Sequence, residues 1–441
     1  MELVSSPNTR YVVSPFCVKH GRCRVPVTAD PAVRRVLALM AATAVTGVGS
    51  GLFLLTGPWL MYNLTHSAFW VGALSAMAGL MFWAGPPLAH LVDRYDRRHV
   101  QVLALVLQSL TAVGLGVVVA RHAATVPVVL TAEVLLGAGS QLGMLSNASL
   151  RSTLIPPHAR LTLNSWWSVA TLLVRYGAPG LAGFLLAAGG VPLALNLQAL
   201  AALPLVAATL LLPRQVIRHA PDQTPGTLRE ALATLKAARG LWLSTWAMAY
   251  WNWTFAGLMA LLVYFYRSDL HFTATQAGLA GIAAGVPPIG FALAGPWLHR
   301  RWGPGRVLLG SIAVSGIAMT TLPALAGPEW VGGVVGMADG PIGPVLAGLT
   351  TMMQQRIPTH QYARVTALRR MVSMGATPTA SVLAGWAAGQ IGAPPVLAGF
   401  GVLTVMGAGW AAWQGQLSRV TLAGDIAPRL PSPSATGVGG G

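Results

Sequence analysis

The sequence predicts an all-α membrane protein with 12 transmembrane helices arranged in two pseudo-symmetric bundles of six. The first observation is composition: charged residues are 9% of the 441 residues and hydrophobic residues are 54%, whereas charged residues make up roughly 25% of ordinary soluble proteins. The second is a series of apolar runs, each close to the about 20 residues that cross a bilayer as a helix. The third is that the run pattern is repeated on either side of a long polar linker near the middle of the chain.

The apolar runs define the predicted spans and the domain boundaries. The first six spans are predicted at 36–62, 68–87, 100–120, 126–150, 163–188 and 193–212. The second six are predicted at 241–266, 275–298, 307–326, 330–353, 365–390 and 395–413. The resulting organisation is a cytoplasmic tail (1–32), a first bundle (33–212), a cytoplasmic linker (213–240), a second bundle (241–414) and a disordered tail (415–441). Within the linker, 227–238 is predicted to form an amphipathic helix that lies on the inner leaflet.

The distribution of Lys and Arg predicts the orientation. The formal net charge of +17 would also suit a nucleic-acid-binding protein. However, with the spans above, every Lys and Arg except Arg121, Arg175 and Arg267 lies on one side of the membrane. Short loops that carry Lys and Arg stay in the cytoplasm. The sequence therefore predicts a monomeric, multi-pass protein of the inner (plasma) membrane with both termini cytoplasmic, surrounded by lipid and not bound to nucleic acid.

A short charged turn separates the second and third spans. Taken alone, it is a basic cytoplasmic loop of the usual kind, but its residues also resemble a motif of the major facilitator superfamily, which reads Gly, three residues, Asp-Arg, any residue, Gly and two basic residues. The matching residues are Asp93, Arg94, Arg97 and Arg98. Ala89 and Asp96 replace the two glycines of the motif. The variant found here is similar to that of the drug-exporter branch related to macrolide and enterobactin efflux proteins.

Two further features support this resemblance. Ile155-Pro156-Pro157-His158 aligns with Ile357-Pro358-Thr359-His360, and the same offset holds as far as Gly183 and Gly385. Two parallel six-helix halves are the arrangement of this superfamily. The fifth span contains a Gly- and Pro-rich stretch that looks like the helix-packing signature of exporters, with Gly177, Pro179, Gly180 and Gly183. The resemblance also implies that Asp93 acts as a latch between the halves, for which Arg369 and Arg370 are the candidate partners.

Three ionisable residues are predicted to lie within spans, where charge is costly and therefore often functional. Glu133 and Arg175 lie on consecutive antiparallel spans, so the sequence predicts an ion pair between them, either purely structural or tuned for proton exchange. Asp339 has no basic residue near it in the sequence and is flanked by Gly340 and Pro341, which weaken a helix. It is either a satisfied carboxylate at a kink or, as we expect, the principal proton-coupling group.

An aromatic stripe marks the seventh span. Trp246, Tyr250 and Trp253 recur at helical spacing and therefore share one helix face. Aromatic faces bind planar or cationic organic compounds through stacking and cation–π attraction. We expect this stripe to line a central substrate cavity, and the alternative is that it faces lipid, where Trp is also common.

Together these features predict a secondary active transporter that exports a hydrophobic or cationic organic compound, such as a drug or natural product, in exchange for protons. Uptake of a small organic solute and a non-transporting sensor on the same fold remain the alternatives. An ATP-driven pump is excluded on this chain because it has no phosphate-binding loop, and an enzyme is disfavoured because no catalytic cluster is present. No cofactor or metal site is expected, since Cys17 and Cys23 with His20 are a weak match to a zinc site.

Overall fold

The computed structural model describes residues 11–13, 24–26, 31–155, 160–212, 228–357 and 359–417. Ahead of the helices, β1 (Tyr11–Val13) and β2 (Arg24–Pro26) form a small antiparallel pair. Cys17, Cys23 and most of the linker lie outside the described residues. The rest is helical, as predicted.

Within the described residues, the first half of the chain contains seven helices that make up six spans. Their bounds are α1 (Pro31–Thr65), α2 (Ala68–Leu80), α3 (Gly85–Arg94), α4 (Arg97–Ala120), α5 (Val126–Leu154), α6 (Arg160–Leu200) and α7 (Leu203–Leu210). Two spans share α6, which turns at Gly190, where φ is 70°. Glycine accepts a positive φ without steric cost, so the chain reverses there without a polar loop.

The second half repeats this pattern. After the linker helix α8 (Leu228–Ala237), its bounds are α9 (Arg239–Ser268), α10 (Ala274–Ala283), α11 (Val286–Thr321), α12 (Pro328–Asp339), α13 (Ile342–Arg356), α14 (Thr359–Met374), α15 (Thr377–Ile391) and α16 (Ala393–Trp413). Two spans again share one helix, because α11 turns at Gly303 with φ of 74°. The described helices thus follow the predicted 12 spans.

Five spans are broken near their middles among the described residues, which the predicted spans did not include. The breaks separate α2 from α3, α6 from α7, α10 from α11, α12 from α13 and α14 from α15. Each break is followed by a proline in the first turn of the next helix or contains one. Proline lacks an amide hydrogen and disfavours a helical residue before it. Backbone that is not helical is tolerated at membrane depth where protein surrounds it or where it lines a cavity.

The linker helix α8 forms almost where the sequence places it, and its apolar face packs on protein. Ala231 and Leu235 are buried in an apolar cluster formed by the second half of the chain, and α8 packs on α9 and α14. Lys236 lies 5.7 Å from the Trp242 ring centre. Packing of Ala231 and Leu235 against other helices removes their apolar area from water, as insertion into the leaflet would.

The two halves pack closely on one side only. We call the side that carries the charged turn Tyr95–Asp96 the basic face and the other the opposite face. Toward the opposite face, α2 packs on α15 and α6 packs on α10. Toward the basic face, α3, α13 and α14 form no comparable contact across the interface within the described residues. The halves are therefore closed at the opposite face and apart at the basic face.

Glycines allow this closure, in two crossings that repeat each other. A Cβ on Gly72 would lie 2.9 Å from Gly385 Cα, and a Cβ on Gly278 would lie 3.1 Å from Gly183 Cα. Gly72 and Gly278 are each the fifth residue of their helix, α2 and α10, and Gly183 and Gly385 are the residues aligned by the sequence repeat. The internal duplication is thus visible as two equivalent backbone crossings, where small residues let helices approach closely.

Candidate functional site

An ion pair joins the two halves at the broken tenth span. Arg175 Nη2 on α6 lies 2.5 Å from Asp339 Oδ2 on α12, and the Tyr176 hydroxyl donates to the same oxygen at 2.6 Å. The Asp339 side chain is 5% exposed and that of Arg175 is 50% exposed. Asp339 Oδ1 is buried and has no hydrogen-bond partner. One carboxylate oxygen thus holds both donors from the other half of the molecule, and the second oxygen is left unpaired.

The position of each group follows from its local backbone. Asp339 is the last residue of α12, directly before Gly340 and Pro341. Tyr176 packs over Gly285 at the break between α10 and α11, where an added Cβ would be 2.8 Å from the Tyr176 Cβ. Arg175 and Tyr176 lie on the same face of α6 as Pro179, Gly180 and Gly183, whose partners are residues of α10. Pro179, Gly180 and Gly183 of the exporter-like stretch therefore face the other half.

The predicted pairing of the three intramembrane charges was wrong. Arg175 binds Asp339, which the sequence had left without a basic partner, and among the described residues Glu133 has no ion pair or hydrogen bond. The reason is that α5 and α6, although consecutive, do not pack extensively against each other, whereas α6 packs on α1 and α10. Tyr176 was not predicted to take part, although it adjoins Arg175, because its partner is distant in sequence.

A second charged contact closes the opposite face on α1 and α9. The guanidinium carbon of Arg267 lies 4.4 Å from the Trp59 ring centre and 5.5 Å from that of Tyr62. Tyr62 also contacts Tyr264 edge-on at 5.6 Å. Because Trp59 and Tyr62 belong to the first half and Arg267 to the second, this cation–π contact must separate if the opposite face opens.

Replacing Arg267 with Gln is expected to raise the population that is open at the opposite face by about two- to thirtyfold, since cation–π contacts contribute roughly 0.5–2 kcal/mol. Spin labels at Ala123→Cys and Glu329→Cys, both exposed at that face, report the opening as a longer distance once Cys17 and Cys23 are replaced by Ser. The matched control is Arg121→Gln, an exposed cation on the same face. Equal distances in the Arg267→Gln protein and its parent would contradict the assignment.

The charged turn of the sequence motif forms the N-terminal cap of α4. Asp96 is the N-cap of α4 and accepts from the Arg98 amide at 2.9 Å, and the Arg98 guanidinium donates to the carbonyl oxygens of Thr209 and Leu210 at 3.2 and 2.7 Å. Arg98 therefore ties the turn to the end of α7. The side chain of Asp93 lies outside what the structure describes, so its latch with Arg369 and Arg370 stays a prediction. Arg370 contacts Met144 Sδ of the first half at 3.8 Å.

The aromatic stripe of α9 points toward neighbouring helices of its own half. The Tyr250 hydroxyl donates to the Leu403 carbonyl on α16, and Trp253 Nε1 donates to Thr379 Oγ1 on α15 at 3.0 Å while its ring contacts Phe400. Trp246 is 53% exposed beside Trp242. Tyr250 thus reaches α16 and Trp253 reaches α15, and the lining of a substrate cavity by these three side chains stays a prediction.

Comparison with solved structures relates this fold to membrane transporters. A bacterial homologue of the human lysosomal transporter Spinster, in an inward-facing and unoccupied conformation, has a TM-score of 0.68 at 16% identity, with 89% of this chain and 98% of that chain covered. The nucleoside transporter NupG has a TM-score of 0.67 at 16% identity, with 87% and 99% covered. Such low identities establish the fold and not the substrate.

A third relative has been solved in two states. The bacterial homologue of the iron transporter ferroportin has a TM-score of 0.66 in its inward-facing state, at 16% identity and with 89% of this chain and 100% of that chain covered. Its outward-facing state has a TM-score of 0.59, at 18% identity and with 87% and 100% covered. At these identities both matches show a shared fold.

The family is defined by the sequence itself. Residues 39–380 match the model of the Major Facilitator Superfamily, whereas comparison with curated protein sequences gave no significant match. The chain therefore belongs to the Major Facilitator Superfamily and is a multi-pass membrane transporter. The family assignment made from the charged turn and the repeat is confirmed at this level.

Proposed function

We propose that this protein is a proton-coupled exporter of a small hydrophobic or cationic organic compound and that it works by alternating access. The observation that carries the proposal is the ion pair between Arg175 and Asp339. It connects the two halves, it is present while the opposite face is closed, and it must break when that face opens. Proton binding at Asp339 would therefore be coupled to movement of the halves.

The proton is proposed to bind at Asp339. Protonation removes the negative charge that holds Arg175, so the closed opposite face loses one of its contacts. Asp339 Oδ1, buried and without a partner, is the oxygen at which a proton can add without first displacing Arg175 or Tyr176. The break after Asp339 gives the backbone freedom to respond, as discontinuous helices do at ion sites of transporters.

We propose that Glu133 binds the transported compound. It is a carboxyl group within a span and has no polar partner among the described residues, so it is an acceptor that a cationic compound would bind. It lies about 10 Å along α5 from Val126, at the helical rise of 1.5 Å per residue. The direction of transport, outward, is proposed from the resemblance of the turn and of the Gly177–Gly183 stretch to drug exporters, and with it a role in drug resistance.

The experiment that tests the proposal is transport in inverted membrane vesicles. We expect a panel of cationic dyes and antibiotics, including ethidium, to contain compounds that accumulate when the vesicle interior is acidified, with release on adding a proton uncoupler. A panel in which no compound accumulates, or in which accumulation ignores the uncoupler, would contradict proton-coupled export of this class of compound.

The proposed location is the plasma membrane, with the basic face and both termini in the cytoplasm. In a protein free of Cys17 and Cys23, a cysteine at Asn63, which is exposed at the opposite face, should react with an impermeant thiol reagent in whole cells. A cysteine at Thr224 in the linker should react only after the cells are opened. The reverse labelling pattern would overturn the orientation, and a cysteine at Arg121 serves as a second marker of the opposite face.

A further inference from the structure

Two serines on α11 donate hydrogen bonds to the backbone on both sides of Asp339. Ser315 Oγ donates to the Ala338 carbonyl at 2.7 Å, and Ser311 Oγ donates to the Pro341 carbonyl at 3.1 Å. The serines are four residues apart and so lie on the same helix face. Their acceptors are the carbonyls immediately before Asp339 and immediately after Gly340. One hydroxyl therefore binds the last turn of α12, and the other binds the residue directly before α13.

A buried tryptophan fixes the direction of one of these hydroxyls. Trp251 Nε1 on α9 donates to Ser315 Oγ at 2.8 Å. Trp251 is 4% exposed and Ser315 is fully buried, and Phe255 stacks on the indole at 4.8 Å with an interplanar angle of 12°. A hydroxyl has a single hydrogen. Because Trp251 occupies a lone pair of Ser315, the hydroxyl hydrogen is directed at Ala338.

The hydrogen bonds of Trp251 and Ser315 act at the break between α12 and α13. The Gly340 amide still bonds to the Gly336 carbonyl at 2.7 Å. Pro341 has no amide hydrogen, so the regular helical bond is lost two residues after Asp339. On the other side, Arg175 is half-exposed and its long side chain is adaptable. The geometry of the ion pair thus depends on how firmly the Asp339 backbone is held.

We infer that Trp251, Ser315 and Ser311 are positioning residues that hold the broken tenth span so that the Asp339 carboxylate meets Arg175 and Tyr176. The consequence for proton coupling rests on the proposed function, because it assumes that Asp339 is the group that titrates. The positioning itself does not, because it concerns only the contact between the halves. Arg175 and Tyr176 are the titratable groups that contact Asp339 within the described residues.

The first test is Ser315→Ala, which removes the bond to Ala338 and leaves Trp251 Nε1 unpaired. The matched control is Ser244→Ala, a buried serine on α9 whose hydroxyl bonds only to the Gly240 carbonyl of its own helix. In thermal unfolding, we expect the destabilisation caused by Ser315→Ala to shrink in an Arg175→Gln background, since the pair that Ser315 positions is then absent. The effect of Ser244→Ala should be the same in the parent and in the Arg175→Gln background. Ser315→Thr should restore most of the loss. Equal effects of Ser315→Ala in both backgrounds would overturn the inference.

The second test follows the pH dependence of opening with the spin labels at residues 123 and 329. A weaker ion pair stabilises the ionised form of Asp339 less. Ser315→Ala should therefore move the midpoint of opening to higher pH, and Ser244→Ala should leave it unchanged. In the Asp339→Asn protein, opening should no longer depend on pH through residue 339. Adding Ser315→Ala to that protein should not introduce any pH dependence of opening. If the unfolding cycle shows coupling but opening does not depend on pH, Ser315 positions the pair and the proton proposal fails. If neither shows an effect of Ser315, the positioning inference fails by itself.

Discussion

The Asp339→Asn protein is expected to lose uphill, proton-driven accumulation while it still exchanges substrate across the membrane. The amide keeps the size of the side chain and can accept the Tyr176 hydrogen bond, but it carries no charge for Arg175 and binds no proton at neutral pH. Exchange needs only the alternating movement, whereas accumulation needs the proton. The loss should therefore appear as accumulation reduced to the level seen with an uncoupler.

The same substitution should also be visible without any substrate. A hydrogen bond to a charged group contributes roughly 1.5–3 kcal/mol, and half-exposure of Arg175 places this pair at the lower end. We expect Asp339→Asn to increase the population open at the opposite face about tenfold at neutral pH, measured with spin labels at residues 123 and 329. In the parent protein, acidification should do the same, since the ion pair exists only while Asp339 is ionised.

Glu133→Gln is the matched control for these measurements. Glu133 is the other carboxylate predicted to lie within a span, yet it makes no contact with Arg175. Its substitution should leave the pH-dependent opening intact and weaken transport of cationic compounds more than that of neutral ones. Proton-driven accumulation by Asp339→Asn with an unchanged pH profile would assign coupling elsewhere, and its loss in Glu133→Gln alone would assign it to Glu133.

The Gly183→Ala protein should be the strongest disruption of the closed opposite face. An added Cβ at Gly183 would collide with the Ala274 carbonyl oxygen and lie 2.7 Å from Gly278 Cα, and both of these are backbone atoms that cannot rotate away. Overpacking of this kind costs roughly 1–3 kcal/mol, which shifts the equilibrium between closed and open states on the order of ten- to hundredfold. The spin-label distance at the opposite face should lengthen accordingly.

Gly177→Ala is the control on the same helix. Gly177 belongs to the same exporter-like stretch, but nothing lies within 4 Å of where its Cβ would be. Alanine there should leave the distance unchanged and slightly favour the helix. Gly385→Ala, at the equivalent crossing of α15 with α2, should reproduce the effect of Gly183→Ala. Equal behaviour of the Gly177 and Gly183 variants would show that the crossing does not set the balance of states.

The sequence by itself determined the family, the number of spans and the duplication. These follow from signals that repeat over many residues: apolar runs of bilayer length, basic loops confined to one side of the membrane, and the aligned residues from Ile155 and Ile357 onward. Such signals survive because the bilayer imposes the same length and hydrophobicity on every span, whatever the span packs against. Local sequence likewise marked the position of the charged turn, whereas the Asp96 cap and the contacts of Arg98 with the end of α7 are seen only in the structure.

Only the tertiary structure decided which residues meet. The sequence suggested Glu133 for Arg175 because the two lie on consecutive spans, but α6 turns its charged face to the other half, where Asp339 ends a broken helix. The same holds for Tyr250, whose hydroxyl reaches α16, and for Arg267, whose partners are Trp59 and Tyr62 of the first half. In a membrane helix, hydrophobicity is similar on all faces, so periodicity does not reveal which face meets protein and which meets lipid. That choice is made by close packing between small residues such as Gly183 and Gly278, and the charged contacts follow from it.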